Sequence, residues 1–129
     1  MITFRLDTRS GVAPYLQIVG QVRQALLLGL LKEGDQLPTV KEVVAKIAIN
    51  PNTVSKAYRE LEHQGLAGAK PGVGTFITRS LGEASLAEHR PLQQELRAWL
   101  AKARYAGLTE PGIDALISNT QRESTEEER

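Results

Sequence analysis

The chain is predicted to be mostly α-helical with one small β wing, and three observations carry that prediction. Helical periodicity recurs in closely spaced runs between Pro14 and Gln64. A turn rich in glycine, Pro71-Gly72-Val73-Gly74, then joins two short β-favouring runs, and two further amphipathic helical patterns follow beyond Ser85. Within the first set only Ala48-Ile49-Asn50 separates the second helix from the third, which is the tight connection of a helix-turn-helix. With the hairpin behind it, the pattern is a winged helix-turn-helix followed by a short two-helix region.

At the start, Ile2, Phe4 and Leu6 alternate with polar residues and predict an extended segment. Pro14 opens the first helix, where its missing N–H is no loss. Along it Leu16, Val19, Val22, Leu26, Leu27 and Leu30 return to one face, and Gly29 and Gly34 mark its end. Residues 30–38 read as a turn with a short extended piece. Thr39 then caps the second helix, Glu42 completes a capping box, and Val40, Val43, Val44 and Ile47 are its apolar positions. Asn50 caps the third helix and Pro51 takes its first position. Val54, Ala57, Tyr58 and Leu61 form the core stripe of that helix, and Gly65 ends it near Gln64. Leu66 to Lys70 and Thr75 to Thr78 flank the turn as the wing.

Two domains are expected, a winged helix-turn-helix over 1–79 and a helical region over 80–129. In the latter, Leu92, Leu96, Trp99, Leu100, Ala103 and Ala106 share a stripe closed by Gly107. Pro91 either begins that helix or kinks one that starts nearer Ser85. Thr109 caps a shorter helix through Ile113, Leu116 and Ile117. Two helices bury little by themselves, so these apolar faces need another surface. Leu92, Leu96, Trp99, Leu100, Ala103, Ile113, Leu116 and Ile117 are the expected dimerisation residues, with Trp99 as the anchor. The polar tail from Ser118 ends in an acidic cluster and is expected to fray.

Composition narrows the function classes. With 129 residues, 41% hydrophobic and 24% charged, the chain has the make-up of a soluble globular protein and no room for a large sensory or enzymatic domain. No apolar run approaches the roughly 20 residues that span a bilayer. A signal-peptide layout is missing and cysteine is absent, so a cytoplasmic location without membrane partners is expected. The net charge of +1 hides a division. Residues 1–79 carry 10 Lys+Arg against 6 Asp+Glu, or +4, whereas residues 80–129 carry 6 against 9, or −3. A polyanion is therefore expected to meet the first part, although such splits also arise on ordinary solvated faces.

The third helix supplies the chemistry for that partner. Asn52, Thr53 and Ser55 place short hydrogen-bonding groups near its start, and Lys56 and Arg59 follow. This order suits base edges and then phosphates in the major groove of double-stranded DNA. Asn52 can bond adenine through two groups, while the Thr53 methyl can touch thymine. Asn50 is a contact candidate whose capping role already accounts for it. Lys56 and Arg59 are phosphate candidates, with a solvated helix face as the competing account. Thr39 stands at a helix N-terminus that can receive a phosphate. In the wing Lys70, Gly72, Gly74 and Thr75 are candidates for the minor groove or flanking phosphates, the glycines being first a turn requirement. Tyr58 belongs with the core. His63 and His89 fit no metal or triad spacing, and the Gly-x-Gly turn lacks the Gly-Lys-Ser/Thr of a phosphate loop. No catalytic residues, metal or cofactor are expected.

Three segments carry a resemblance to a known family. Pro14-Tyr15-Leu16-Gln17-Ile18, the run from Gly29 to Thr39, and Asn50-Pro51-Asn52-Thr53-Val54 resemble the GntR family of bacterial transcription regulators, and Gly65-Leu66 and Gly72-Val73-Gly74-Thr75-Phe76-Ile77 continue the match. The short helical C-terminal part looks like the YtrA subfamily. That resemblance implies a winged helix joined to two dimerising helices, a basic residue, here Lys41, at the DNA backbone or groove edge, and control of transporter genes. Other GntR proteins often place base-reading arginines where Pro51 and Ser55 stand, so base reading here must rest on other residues. The leading expectation is a homodimeric repressor on a near-palindromic operator, open to a small-molecule effector that no residue cluster identifies. A winged helix used for protein interaction or assembly, without sequence-specific DNA binding, is the alternative.

Overall fold

The computed structural model describes residues 2–82 and 86–127. Its elements are α1 (Pro14–Leu27), α2 (Val40–Lys46), α3 (Pro51–His63), β1 (Ala67–Lys70), β2 (Gly74–Ile77), α4 (Leu86–Tyr105) and α5 (Glu110–Glu127). Two compact units divide the chain between Glu88 and His89, rather than after Arg79.

In the first unit, α1 buries Ile18, Val19, Val22, Ala25 and Leu26. Leu16, Leu27 and Leu30 stay exposed, so the core stripe is rotated from the face expected of them. Helix α2 starts as its capping box dictates: the Glu42 N–H donates to Thr39 Oγ1 at 3.1 Å and the Thr39 N–H to Glu42 Oε1 at 3.3 Å. Of its apolar positions only Val43 is fully buried. The helix stops at Lys46, which leaves Ile47 to Asn50 as the turn. In α3, Asn50 Oδ1 accepts from the Asn52 N–H at 2.8 Å, and Val54, Ala57, Tyr58 and Leu61 are buried, as their spacing required. Gly65 at φ 75° then lets the Leu66 N–H reach back to the Leu61 carbonyl at 2.9 Å, closing α3 and turning the chain into the wing.

Residues 2–7 form no strand. The side chains of two glutamines on α1 take the place of a partner strand. The Arg5 N–H donates to Gln21 Oε1 at 2.9 Å and Gln21 Nε2 returns a bond to the Arg5 carbonyl at 2.6 Å. Gln17 does the same for Asp7 at 2.8 and 3.0 Å. Phe4 is thereby carried into the core without a sheet.

The wing is an antiparallel pair with Ala67 opposite Ile77 and Lys70 opposite Gly74. Residues 34–37 run along the other edge of β2: Gly34 N–H donates to the Ile77 carbonyl at 2.9 Å, Ile77 N–H to Asp35 at 2.8 Å, and Leu37 N–H to Thr75 at 2.9 Å. The extended piece expected before Pro38 is thus the third edge of the wing.

In the second unit α4 runs through Pro91. Helix α5 continues past Ser118 to Glu127. Its polar tail stabilises itself locally: Asn119 Nδ2 donates to Glu123 Oε1 at 3.0 Å and Arg122 Nη2 to Asn119 Oδ1 at 2.8 Å, pairs that meet on one helix face. Across the turn Arg104 Nε donates to Glu110 Oε1 at 2.8 Å. That hydrogen bond, followed by the charge of Arg104, holds the Glu110 carboxyl below its ordinary value. No helix among the described residues is long and apolar enough to cross a membrane.

Two stability tests follow from this packing. The buried Tyr58 hydroxyl donates to the Pro38 carbonyl. Burial, then the charge of Glu42, raises its pKa above the ordinary 10.0. Above a pH of about 10 the unfolded chain loses this proton while the native chain keeps it, so native stability falls as pH rises. Denaturant titrations should show that Tyr58→Phe costs roughly 1–3 kcal/mol at neutral pH and removes part of the alkaline decline. At Gly74, φ is 145° and an added Cβ would lie 2.5 Å from Gln36 Nε2. Gly74→Ala should lower stability by about 1 kcal/mol or more by the same measurement, because the backbone position disfavours any L side chain.

Candidate nucleic-acid interface

The candidate surface begins with the cap of α3. Asn50 Oδ1 accepts from the Asn52 N–H, which leaves the two N–H donors of its side-chain NH2 for outward chemistry. Asn52, Lys56, Arg59 and His63 then follow at helical spacing and are all exposed. Thr53 and Ser55 flank this row and are half-buried. Pro51, exposed at the first helical position, offers no hydrogen-bonding group from its ring.

The cations of this row are not neutralised by neighbours. Among the described residues the one ion pair joins Arg104 to Glu110, so neither Lys56 nor Arg59 has a carboxylate at bridging distance. Glu60, the acid nearest them on the helix, accepts from Gln64 Nε2 at 2.9 Å, and Gln64 Oε1 accepts from Arg23 Nη1 at 2.8 Å. Lys56 instead places Nζ 4.2 Å from the centroid of the Tyr15 ring. Tyr15, Lys56, Arg59, Glu60 and His63 together line a shallow concavity beside the helix.

Two further pieces are tied to this helix. The Tyr58 bond to Pro38 holds the start of α2 against α3 and with it Thr39 and the exposed Lys41. Thr39 Oγ1 is used as an acceptor in the capping box, which leaves its O–H as a donor. Gln36 Nε2 donates to the Val73 carbonyl at 3.2 Å, linking the wing tip to the segment that leads into α2. On the wing Lys70 Nζ lies 4.6 Å from the Phe76 ring centroid, Gly72 forms the exposed tip at φ 75°, and Gly74 and Thr75 are half-buried. Sequence reasoning missed both aromatic seats and the Arg23–Gln64–Glu60 chain. No local spacing connects residue 15 with 56 or 23 with 64, so only the fold brings them together.

The eight expected dimerisation residues fall into three groups. Leu92, Leu96 and Leu116 are 65%, 49% and 42% exposed, while Trp99, Leu100 and Ile117 are half-buried. Ala103 and Ile113 are buried. Leu96, Trp99, Leu116 and Ile117 line an open cleft between α4 and α5, continued along α5 by Thr120, Gln121, Ser124 and Thr125.

Comparison with known proteins gives this arrangement its setting. The sequence pattern of bacterial regulatory proteins of the gntR family matches residues 14–77, from the start of α1 to the end of β2. The HTH-type transcriptional repressor YtrA of Bacillus subtilis is 39% identical over 106 residues, which cover 81% of each chain. A transcriptional antiterminator from Listeria monocytogenes superposes with a TM-score of 0.60 at 30% identity, over 93% of this chain and 90% of that one. The DNA-binding domain of AraR, solved in complex with operator ORX1, shares the fold alone, with a TM-score of 0.52 at 20% identity over 60% of this chain and all of its own. With a relative so similar over four-fifths of both chains, the protein belongs to the gntR family of bacterial regulatory proteins.

Proposed function

We propose that this transcription regulator acts as a homodimeric repressor, each winged helix reading one half of a near-palindromic operator in the cytoplasm. The exposed row Asn52, Lys56, Arg59, free of carboxylate partners on a helix whose other side is locked in the core, carries this reading. A rigid helix with uncompensated cations and a polar start matches what a major groove offers. That AraR holds operator DNA on the same fold, and that YtrA is a repressor, supports it.

Roles follow from position. Asn52 and Thr53, in the first turn of α3, read bases, with Ser55 beside them and Asn50 serving first as the cap. Lys56 and Arg59 meet phosphates, as do Thr39 and Lys41 at the start of α2. The wing supplies Lys70 and Thr75, and Gly72 and Gly74 let its backbone come close to the duplex. Since Pro51 and Ser55 offer no arginine, Asn52, Thr53 and the sequence-dependent shape of the operator set specificity. The apolar cleft between α4 and α5 receives the same surface of a second copy, and a small-molecule effector would act by changing that pairing.

An operator selected from random duplexes provides the test. Affinity should fall steeply with salt, at a log–log slope of about −3 to −5 per subunit for on the order of three to five phosphate contacts. Asn52→Ala should relax base preference by about 1–3 kcal/mol. Lys56→Ala should weaken every sequence and lower the slope by about 1. Equal affinity for selected and random duplexes at physiological salt would sink this function. For the dimer, sedimentation of a Leu96→Glu, Leu116→Glu variant should give a monomer whose winged-helix unit still melts cooperatively, with part of the helical signal lost and operator binding weakened. A wild-type protein that sediments as a monomer when bound to one half-site would overturn the dimer.

A further inference from the structure

The geometry points to Tyr15 as a positioning residue for DNA binding: its ring holds the Lys56 ammonium ready for a backbone phosphate. This rests on the proposed reading of α3 as the DNA-contacting helix. Lysine is costly to use as a phosphate ligand because its long stem has many rotamers to lose. Here the stem is already directed. Tyr15 sits at the second position of α1, half-buried and packed against the core, so its ring is a fixed seat rather than a mobile neighbour. The ammonium lies 4.2 Å from the centroid of that ring.

The choice of seat matters chemically. On an isolated helix the ordinary partner of Lys56 would be Glu60, four residues on. That carboxylate accepts instead from Gln64, which in turn accepts from Arg23. An ion pair would cancel the charge a phosphate needs and would have to be broken on binding. A ring face attracts the cation more weakly, leaves its positive charge intact and takes up none of its N–H donors in a directed hydrogen bond. Arg59 and His63 continue the same concavity, and Glu60, which also lines it, accepts from the Gln64 amide rather than pairing with the ammonium. Lys70 over Phe76 repeats the arrangement on the wing.

Binding to a short duplex of random sequence at low salt tests this, since phosphate contacts need no operator. Tyr15→Phe, which keeps the ring, should bind like wild type. Tyr15→Leu, which keeps apolar packing, should weaken binding roughly two- to five-fold per subunit, the worth of an exposed cation–π contact. In a Lys56→Ala background the leucine substitution should have no further effect. An unchanged affinity in Tyr15→Leu, or the same loss with and without Lys56, would overturn the inference. A Tyr15→Phe as weak as Tyr15→Leu would also overturn it, by assigning the contact to the hydroxyl. Independently of folding in the variants, the Lys56 ε-methylene protons of the wild-type protein should show an upfield ring-current shift, and its absence counts against the seat. If Lys56→Ala alone leaves binding unchanged, the DNA-contact role of α3 fails and the inference with it. If that variant weakens binding and Tyr15→Leu does not, only the positioning role fails.

Discussion

Everything that α3 presents to its surroundings depends on the burial of Val54, Ala57, Tyr58 and Leu61. Three of these have no exposed surface, and the fourth donates its hydroxyl to the Pro38 carbonyl. Successive helical residues are rotated by about 100°, so locking this stripe fixes where Asn52, Lys56 and Arg59 emerge. A recognition surface built on a clamped helix is more exact than one built on loops. The clamp also reaches further than α3, because Pro38 immediately precedes the cap of α2. One buried phenol thus sets the start of α2 against the middle of α3.

The wing is held by a related economy. A two-stranded hairpin is at best marginally stable alone. Residues 34–37 supply a third edge, and Gln36 binds the Val73 carbonyl at the tip. Because this segment leads directly into Pro38 and α2, the wing and the helix-turn-helix share one backbone connection. Charges are placed with similar restraint. Glu60 accepts from the neutral Gln64 amide, while Lys56 and Lys70 rest on aromatic rings. The surface therefore keeps a positive charge that is ordered but not neutralised.

Legibility in the sequence followed the range of the interactions. The caps of α2 and α3 and the core stripe of α3 depend on residues within a few positions of one another, and all were readable. The wing was readable for the same reason, since its turn is contiguous. Alternation at Ile2, Phe4 and Leu6 suggested extended chain, but nothing local showed that Gln17 and Gln21 would take the place of a strand. On α1 the leucines outnumber the sites the core can accept, and tertiary packing chose Ile18, Ala25 and their neighbours over Leu16 and Leu27. The polarity of the tail suggested fraying, whereas bonds between side chains three and four apart suit it to a helix. The row on α3 was visible from its periodicity, and its aromatic seat was not, because Tyr15 and Lys56 are brought together only by the packing of α1 on α3.

The helical unit poses a different physical problem. Its buried apolar residues among those described are Ala103 and Ile113, while Leu92, Leu96 and Leu116 keep substantial exposed surface. So small a core cannot offset the ordering of two helices of 20 and 18 residues, and a helix pair in this position needs further apolar contact to persist. The second copy proposed above would meet that need with self-complementary surface, as isologous dimers do. Charge works in the same direction. Residues 80–129 carry a net −3 and residues 1–79 a net +4, so a phosphate backbone attracts one part and repels the other. In the proposed dimer the apolar cleft would take protein and the cationic helix nucleic acid, a division that matches the distribution of charge along the chain.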